Sequence, residues 1–160
     1  MSTAVAASPP PKGWPRISSV VCYQDPHAAI DWLCRVFGFE VRLKVEGEGG
    51  RIEHSELELG GGLIMVSGAG EKYLDAKGPW KKDHASPTMV GGKNTQCMCV
   101  HIDDVDAHHA RVRAAGAKVY MEPKTSDYGE DYWSDRSYGV HDLEGHQWWF
   151  MQRMRTGNAK

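Results

Sequence analysis

Hydrophobic positions in this chain follow two periods, and the changes from one to the other mark its elements. From Ile17 to Tyr23 the run ISSVVCY is β-branched and apolar. It stops at Asp25-Pro26, a capping acid followed by the residue best suited to a first helical turn. Ala29, Ile30, Leu33, Val36 and Phe37 then fall at helical spacing, with Gly38 placed for a left-handed C-cap, so the pattern predicts one amphipathic helix over 25–37. Three runs of strand length follow, FEVRLKVEG, GRIEHSELELG and GLIMVSG, divided by glycines. The order is β, α, β, β, β.

The same order recurs downstream. TQCMCVHI reads as a strand, Asp104 opens a helix through Ala107, Ala110 and Val112 to Ala115, and Gly116 ends it; KVYMEP, DYWSDRSYGV and HQWWFMQR are further strand candidates. Asp25 and Asp104 are 79 residues apart and Gly38 and Gly116 are 78 apart, so a single gap separates the copies. The chain is thereby divided into a disordered leader over 1–15, a first βαβββ module over 16–67, a connecting loop over 68–93, a second module over 94–152 and a tail over 153–160. Connecting segments of that length inside a compact unit carry function or disorder.

Composition narrows what such a chain can be. With 160 residues and 41% apolar content it can build one core but not two independent domains. Nineteen basic against 21 acidic residues, a net charge of −2 and no run of five like charges exclude nucleic acid as a partner. No stretch approaches the roughly 18 apolar residues of a membrane span, and the N-terminus lacks a basic start followed by an apolar block. The four cysteines, Cys22, Cys34, Cys97 and Cys99, are expected as free thiols of a cytoplasmic protein. No nucleophile elbow, phosphate-cradling glycine loop or cysteine–histidine pair at a known family spacing is present.

Four segments in order, YQDPHAAIDWLCRVFGFEV, IEHSELELGGGLIMVS, VHIDDVDAHHARVRAAGAKV and DLEGHQWWF, give the chain a specific likeness. Over roughly 16–152 it resembles the vicinal-oxygen-chelate superfamily, in its glyoxalase/bleomycin-resistance-like branch. The resemblance implies an α+β fold in which two βαβββ modules pair into a half-open curved barrel, with both helices on the convex side, a pocket on the concave side and a homodimer as the assembly. In the metal-dependent members, one His, Gln or Glu from the first and last strand of each module holds a divalent ion. Those positions fall here at Ser18, Cys97 and Trp149, with the fourth near Met65. A hydroxyl, a thioether and an indole are not ligands for a hard divalent ion, so the chelating chemistry is expected to be absent, with no cofactor and a divalent metal disfavoured.

Strand alternation extends the pocket from those positions, because residues two apart share a face. Val20 and Cys22 accompany Ser18, Cys99 and His101 accompany Cys97, and Gln147 and Met151 accompany Trp149, while Met98, Val100, Ile102, His146, Trp148 and Phe150 pack beneath the helices. Such a lining suits a planar or aromatic ligand. Trp80 in the connecting loop could close over the pocket, and Trp133, within DYGEDYWSDRSY, could offer a stacking face beside negative charge to a cationic ligand or belong to an ordinary edge strand. Cys97, Cys99 and His101 could form a soft-metal site or be small strand residues. His54, Glu56 and His101 could form a displaced metal or acid–base site or a hydrogen-bonded patch. His108 and His109 are expected to face solvent. Two function classes remain: a metal-independent small-molecule-binding protein, and a glyoxalase-like lyase or isomerase working through His54, Glu56 or His101.

Overall fold

The computed structural model describes residues 8–74 and 78–158, and within them the repeat is realised element by element. The first module comprises β1 (Ser19–Tyr23), α1 (Pro26–Trp32), β2 (Glu40–Glu46), β3 (Ile52–Leu59) and β4 (Gly62–Gly68). The second comprises β5 (Cys97–His101), α2 (Val105–Ala114), β6 (Lys118–Asp127), β7 (Ser134–His141) and β8 (Gln147–Arg155). Each module folds its strands into one four-stranded sheet, in the orders β1-β4-β3-β2 and β5-β8-β7-β6. The first strand of each runs parallel to the last, and the other pairings are antiparallel.

The helix ends follow their caps. The Asp25 carboxylate accepts from Ala28 N at 3.1 Å and Asp104 from Ala107 N at 2.9 Å, each satisfying an amide that the first turn leaves without a partner. The first helix departs from the predicted single run: after Trp32 it loosens into a π-helical turn, Leu33–Phe37, which Gly38 closes at φ +86°, where a Cβ would be strained. Arg111 of α2 donates to the carbonyls of Cys34 and Arg35 at 3.2 and 2.7 Å, so the second helix covers the loosened end of the first.

Both helices lie on one side of the paired sheets. Phe37, from the first module, sets its ring against Trp148 and Phe150 of the second at 5.3 and 4.9 Å. Leu33, Val36, Val105, Val112, Tyr138, Trp148 and Phe150 complete a core with no solvent exposure. His108 belongs to this side as well, which corrects the expectation that it faces water. Its Nε2 lies 2.9 Å from the Phe37 carbonyl oxygen and its Nδ1 2.6 Å from the Tyr138 hydroxyl. A carbonyl only accepts, so Nε2 carries the proton and Nδ1 takes the hydrogen of Tyr138. His109, expected beside it in water, meets Glu122 at 3.1 Å and the edge of the Tyr138 ring.

Residues 1–7 of the expected leader lie outside the described residues. In the rest of it, Trp14 stacks on the Arg42 guanidinium at 5.6 Å and Arg42 donates to the Gly13 carbonyl. Three 3-10 turns, Glu71–Tyr73, Pro79–Asp83 and Pro87–Val90, punctuate the connecting segment, burying Tyr73, Ser86 and Pro87. No helix among the described residues is long and apolar enough to cross a membrane.

Candidate functional site

The face opposite the helices is built by the first and last strands of each module, and their register makes the two halves equivalent. Val20 stands opposite Met65 across β1 and β4, as Cys99 stands opposite Trp149 across β5 and β8. Directly opposed residues point the same way, so Val20, Met65, Cys99 and Trp149 share the helix-free side. The alternation on β8 is clean: Trp148 is 0% exposed, against Phe37 and Phe39, while Trp149 turns to the other face.

On the second sheet that face is aromatic and soft. Tyr120 sits at a register irregularity in β6 and reaches across the sheet over Gly139, where a Cβ would come within 2.4 Å of its ring. The ring meets Trp149 edge-on at 6.4 Å and His141 at 4.7 Å, and its hydroxyl donates to the Trp148 carbonyl at 3.5 Å, while the Cys97 thiol donates to the Met98 carbonyl at 3.7 Å. Burial, then the neighbouring Cys99, push the Cys97 thiol up to about 11. Burial and the adjacent thiol likewise hold the Tyr120 phenol above its ordinary range. The pair is therefore neutral at neutral pH, and Cys97 is a hydrogen-bonded thiol rather than a nucleophilic thiolate. Tyr120 was not singled out by the sequence, where KVYMEP carries only an alternating strand pattern.

On the first sheet the same face is ionic. His54 Nε2 lies 2.9 Å from Glu56 Oε1, and Glu56, only 6% exposed, takes Arg42 Nε at 3.3 Å on its other oxygen. His101, on the free edge of β5, is not part of this chain of contacts: among the described residues no three His, Cys, Asp or Glu side chains gather as a metal site. That separates the expected triad of His54, Glu56 and His101, and the Cys97, Cys99 and His101 alternative also does not assemble. The positions that the resemblance assigns to chelation, Ser18, Cys97, Trp149 and a fourth near Met65, present a hydroxyl, a neutral thiol, an indole and a thioether, a donor set that does not fit a hard divalent ion.

The remaining candidates divide between cavities and surface. Cys97, Cys99 and His101 line a cavity of about 450 Å³ at the seam between modules, shared with Ser19, Leu63 and Trp148. Val20 and Cys22 line a second one of about 380 Å³ at the other end of the seam. Ser18 Oγ is buried with no hydrogen-bond partner, and Gln147 is half-buried opposite Cys97 on the sheet. Trp80 is 60% exposed on its 3-10 turn. Trp133 lies under the Arg153 guanidinium at 5.3 Å, with Tyr128 and Tyr132 beside it. Asp135 pairs with Arg153 at 2.5 Å and Asp127 with Arg155 at 2.6 Å, so these two acids of the expected anionic rim already have cations.

A buried polar cluster that the sequence did not reveal joins the modules. The Asp142 carboxylate accepts from the Tyr23 hydroxyl at 2.6 Å, Trp148 Nε1 at 3.0 Å, His146 Nδ1 at 3.1 Å and the amides of Glu144 and His146. Burial alone would raise the Asp142 carboxyl, but the hydrogen bonds from His146, Tyr23 and Trp148 outweigh it and hold it below its usual range. Glu144 accepts from the Gln24 and Asp25 amides at 2.9 and 3.0 Å, so the β7–β8 turn also closes the entry to the first helix.

Comparison with known proteins decides the lineage. The family model described as "Glyoxalase/Bleomycin resistance protein/Dioxygenase superfamily" matches residues 16–150. The chain belongs to that superfamily. Among solved structures, TioX from Micromonospora sp. ML1 is 35% identical, with a TM-score of 0.63, 86% of this chain covered and 95% of that one. A glyoxalase/bleomycin resistance protein from Streptomyces sp. CB03234, 18% identical, superposes at a TM-score of 0.55 over 83% of this chain and 96% of its own, a likeness of fold. Uncharacterized protein Rv0887c of Mycobacterium tuberculosis (strain ATCC 25618 / H37Rv) is 27% identical over 146 residues, 90% of this chain and 78% of that protein. For this superfamily member the half-open, helix-backed pair of modules is thus both observed and shared.

Proposed function

We propose that this superfamily member is a metal-independent small-molecule-binding protein that takes a planar, aromatic ligand on the helix-free face of its second module. The observation that carries this reading is Trp149 at the position of a chelating residue, edge-on to Tyr120 and opposite Cys99, with Met65 as its counterpart in the first module. Aromatic faces and polarizable sulfur give a flat ring a large contact area at little conformational cost. The neutral Tyr120–Cys97 pair adds a hydrogen-bonding edge without a charge to desolvate. A cytoplasmic homodimer remains the assembly we propose, since twofold pairs are the commonest oligomers.

The test is a calorimetric titration with quinoline as the planar probe, in chelator-treated buffer and again with Zn²⁺ or Mn²⁺ added. Binding is expected to be the same in both buffers and at least about tenfold weaker in Trp149→Ala, a loss of about 1.4 kcal/mol. Binding that requires the metal would reverse the reading in favour of a lyase- or isomerase-like site, and binding indifferent to Trp149 would move the ligand elsewhere.

A further inference from the structure

A second cavity lies between β1, the segment 83–96 and the turn that joins β7 to β8, with a volume of about 380 Å³. Val20, Cys22, Pro87 and Val90 give it an apolar floor and wall. Two imidazoles, His84 and His146, line it beside the polar side chains of Asp83, Ser86, Lys93, Asn94, Thr95 and Gln96. The His146 ring is fixed from behind: Nδ1 lies 3.1 and 3.2 Å from the two Asp142 oxygens, and the Tyr23 ring packs against it at 4.6 Å. Asp142 is ionised and acceptor-only, so the proton of a neutral His146 sits on Nδ1. Nε2 then presents a lone pair, and it makes no hydrogen bond among the described residues. His84 Nδ1, on the segment 83–96, is buried without a partner. Buried polar atoms are nearly always satisfied, so this one marks a place on the cavity that something else completes.

We propose that this cavity is a second binding site, for a compact, largely apolar molecule bearing one hydroxyl, with His146 Nε2 accepting its hydrogen bond and Asp142 acting through His146 as the positioning residue. Trp149 is not among the residues that line it. Its size falls within the range of small-ligand pockets, and the acceptor that Asp142 orients on His146 beside an apolar floor favours a hydroxylated ring over the bare one.

Phenol, against benzene as the matched ring without a donor, is the probe. In the full chain labelled with ¹⁵N, phenol is expected to shift the His146 Nε2 resonance saturably and to bind at least about tenfold more tightly than benzene. In His146→Gln, whose amide can still donate to Asp142, that preference should fall to within about twofold. Val90→Trp changes a residue that is 44% exposed and outside the core, and it should fill the cavity and abolish the saturable His146 shift without disturbing the fold. Trp149→Ala should leave that shift and its midpoint unchanged, whatever it does to rings held at the aromatic face. Equal binding of phenol and benzene as read at His146, persistence of the His146 shift in Val90→Trp, absence of a saturable His146 shift, or loss of that shift in Trp149→Ala would each overturn the proposal.

Discussion

The two modules share a register and differ in what they show on the helix-free side. In the first, Arg42, Glu56 and His54 form a chain of charge-assisted contacts on β2 and β3; in the second, Tyr120, Trp149 and Cys97 make a neutral, aromatic and soft surface. The pairings Val20–Met65 and Cys99–Trp149 show that the backbones are equivalent at these positions, so the difference there lies in side chains. Duplication therefore fixes where a residue points and leaves free what it does there. The helix-covered sides also diverge, since the second module supplies Asp142, Glu144 and His108, which bond atoms of the first.

The largest effect should come from removing what ties those halves together. Asp142→Asn replaces an acceptor of five hydrogen bonds with a group half of which donates, leaving the hydroxyl of Tyr23 or the indole N–H of Trp148 facing a donor. The expected loss is about 3–5 kcal/mol, the usual result of breaking a buried charged network, read from urea denaturation. The folded carboxyl lies below its unfolded value, so its contribution is present above the unfolded pKa of about 3.9 and is lost as the pH falls below it toward the folded value. The acid limb of the stability profile should accordingly flatten in the variant. An unchanged limb would show that Asp142 is not the group responsible.

The two faces of β8 give the next contrast. Trp148→Ala empties a fully buried position and should cost about 3–5 kcal/mol, whereas Trp149→Ala, on the half-buried face, should cost less than half as much. Equal losses would mean that the helix-free face is covered as thoroughly as the core.

A third contrast concerns His108, the inward histidine of α2. Burial, chiefly, depresses its pKa below the usual value of about 6.5. The unfolded chain then binds more protons as the solution is acidified. Stability is full above about pH 6.5 and falls as the pH drops through that value toward the lower folded one. His108→Gln should lower stability at pH 8 by about 1–2 kcal/mol by disturbing the link between Tyr138 and Phe37, and should remove part of the decline between pH 7 and 5. If melting temperatures of variant and parent run parallel across that interval, His108 does not carry the linkage.

Much of this was legible in the sequence, and the physical reasons separate what was from what was not. Helix caps and glycine stops are local, so Asp25, Gly38, Asp104 and Gly116 announced both helices and their repeat. Sheet faces follow from a period of two, so Trp148 and Trp149 could be assigned to opposite sides. What depends on distant partners was hidden: Tyr23 and Asp142 are separated by 119 positions. Tyr120 crosses the sheet only because β6 is irregular beside Gly139. The inward turn of His108 needed the Phe37 carbonyl, exposed where α1 loosens into its π-helical turn, a feature with no sequence mark.

The smallest expected effect tests the ionic face directly. Glu56→Leu would make the first module's surface resemble the second by deleting the carboxylate between His54 and Arg42. A buried carboxylate with one cation costs desolvation that its Coulomb gain only partly returns, and Arg42 stays partly in water, stacked on Trp14, so it is not stranded by the change. Stability is therefore expected to change by no more than about 1 kcal/mol, a net figure because Leu restores apolar contact as it removes charge. If denaturation shows a loss of about 3 kcal/mol or more, the chain from Arg42 to His54 is structurally as costly to break as the Asp142 cluster, and the difference between the modules would be one of stability as well as of surface chemistry. A value near zero would instead leave that face free to vary, which is what a duplicated scaffold needs if only one of its halves carries the ligand.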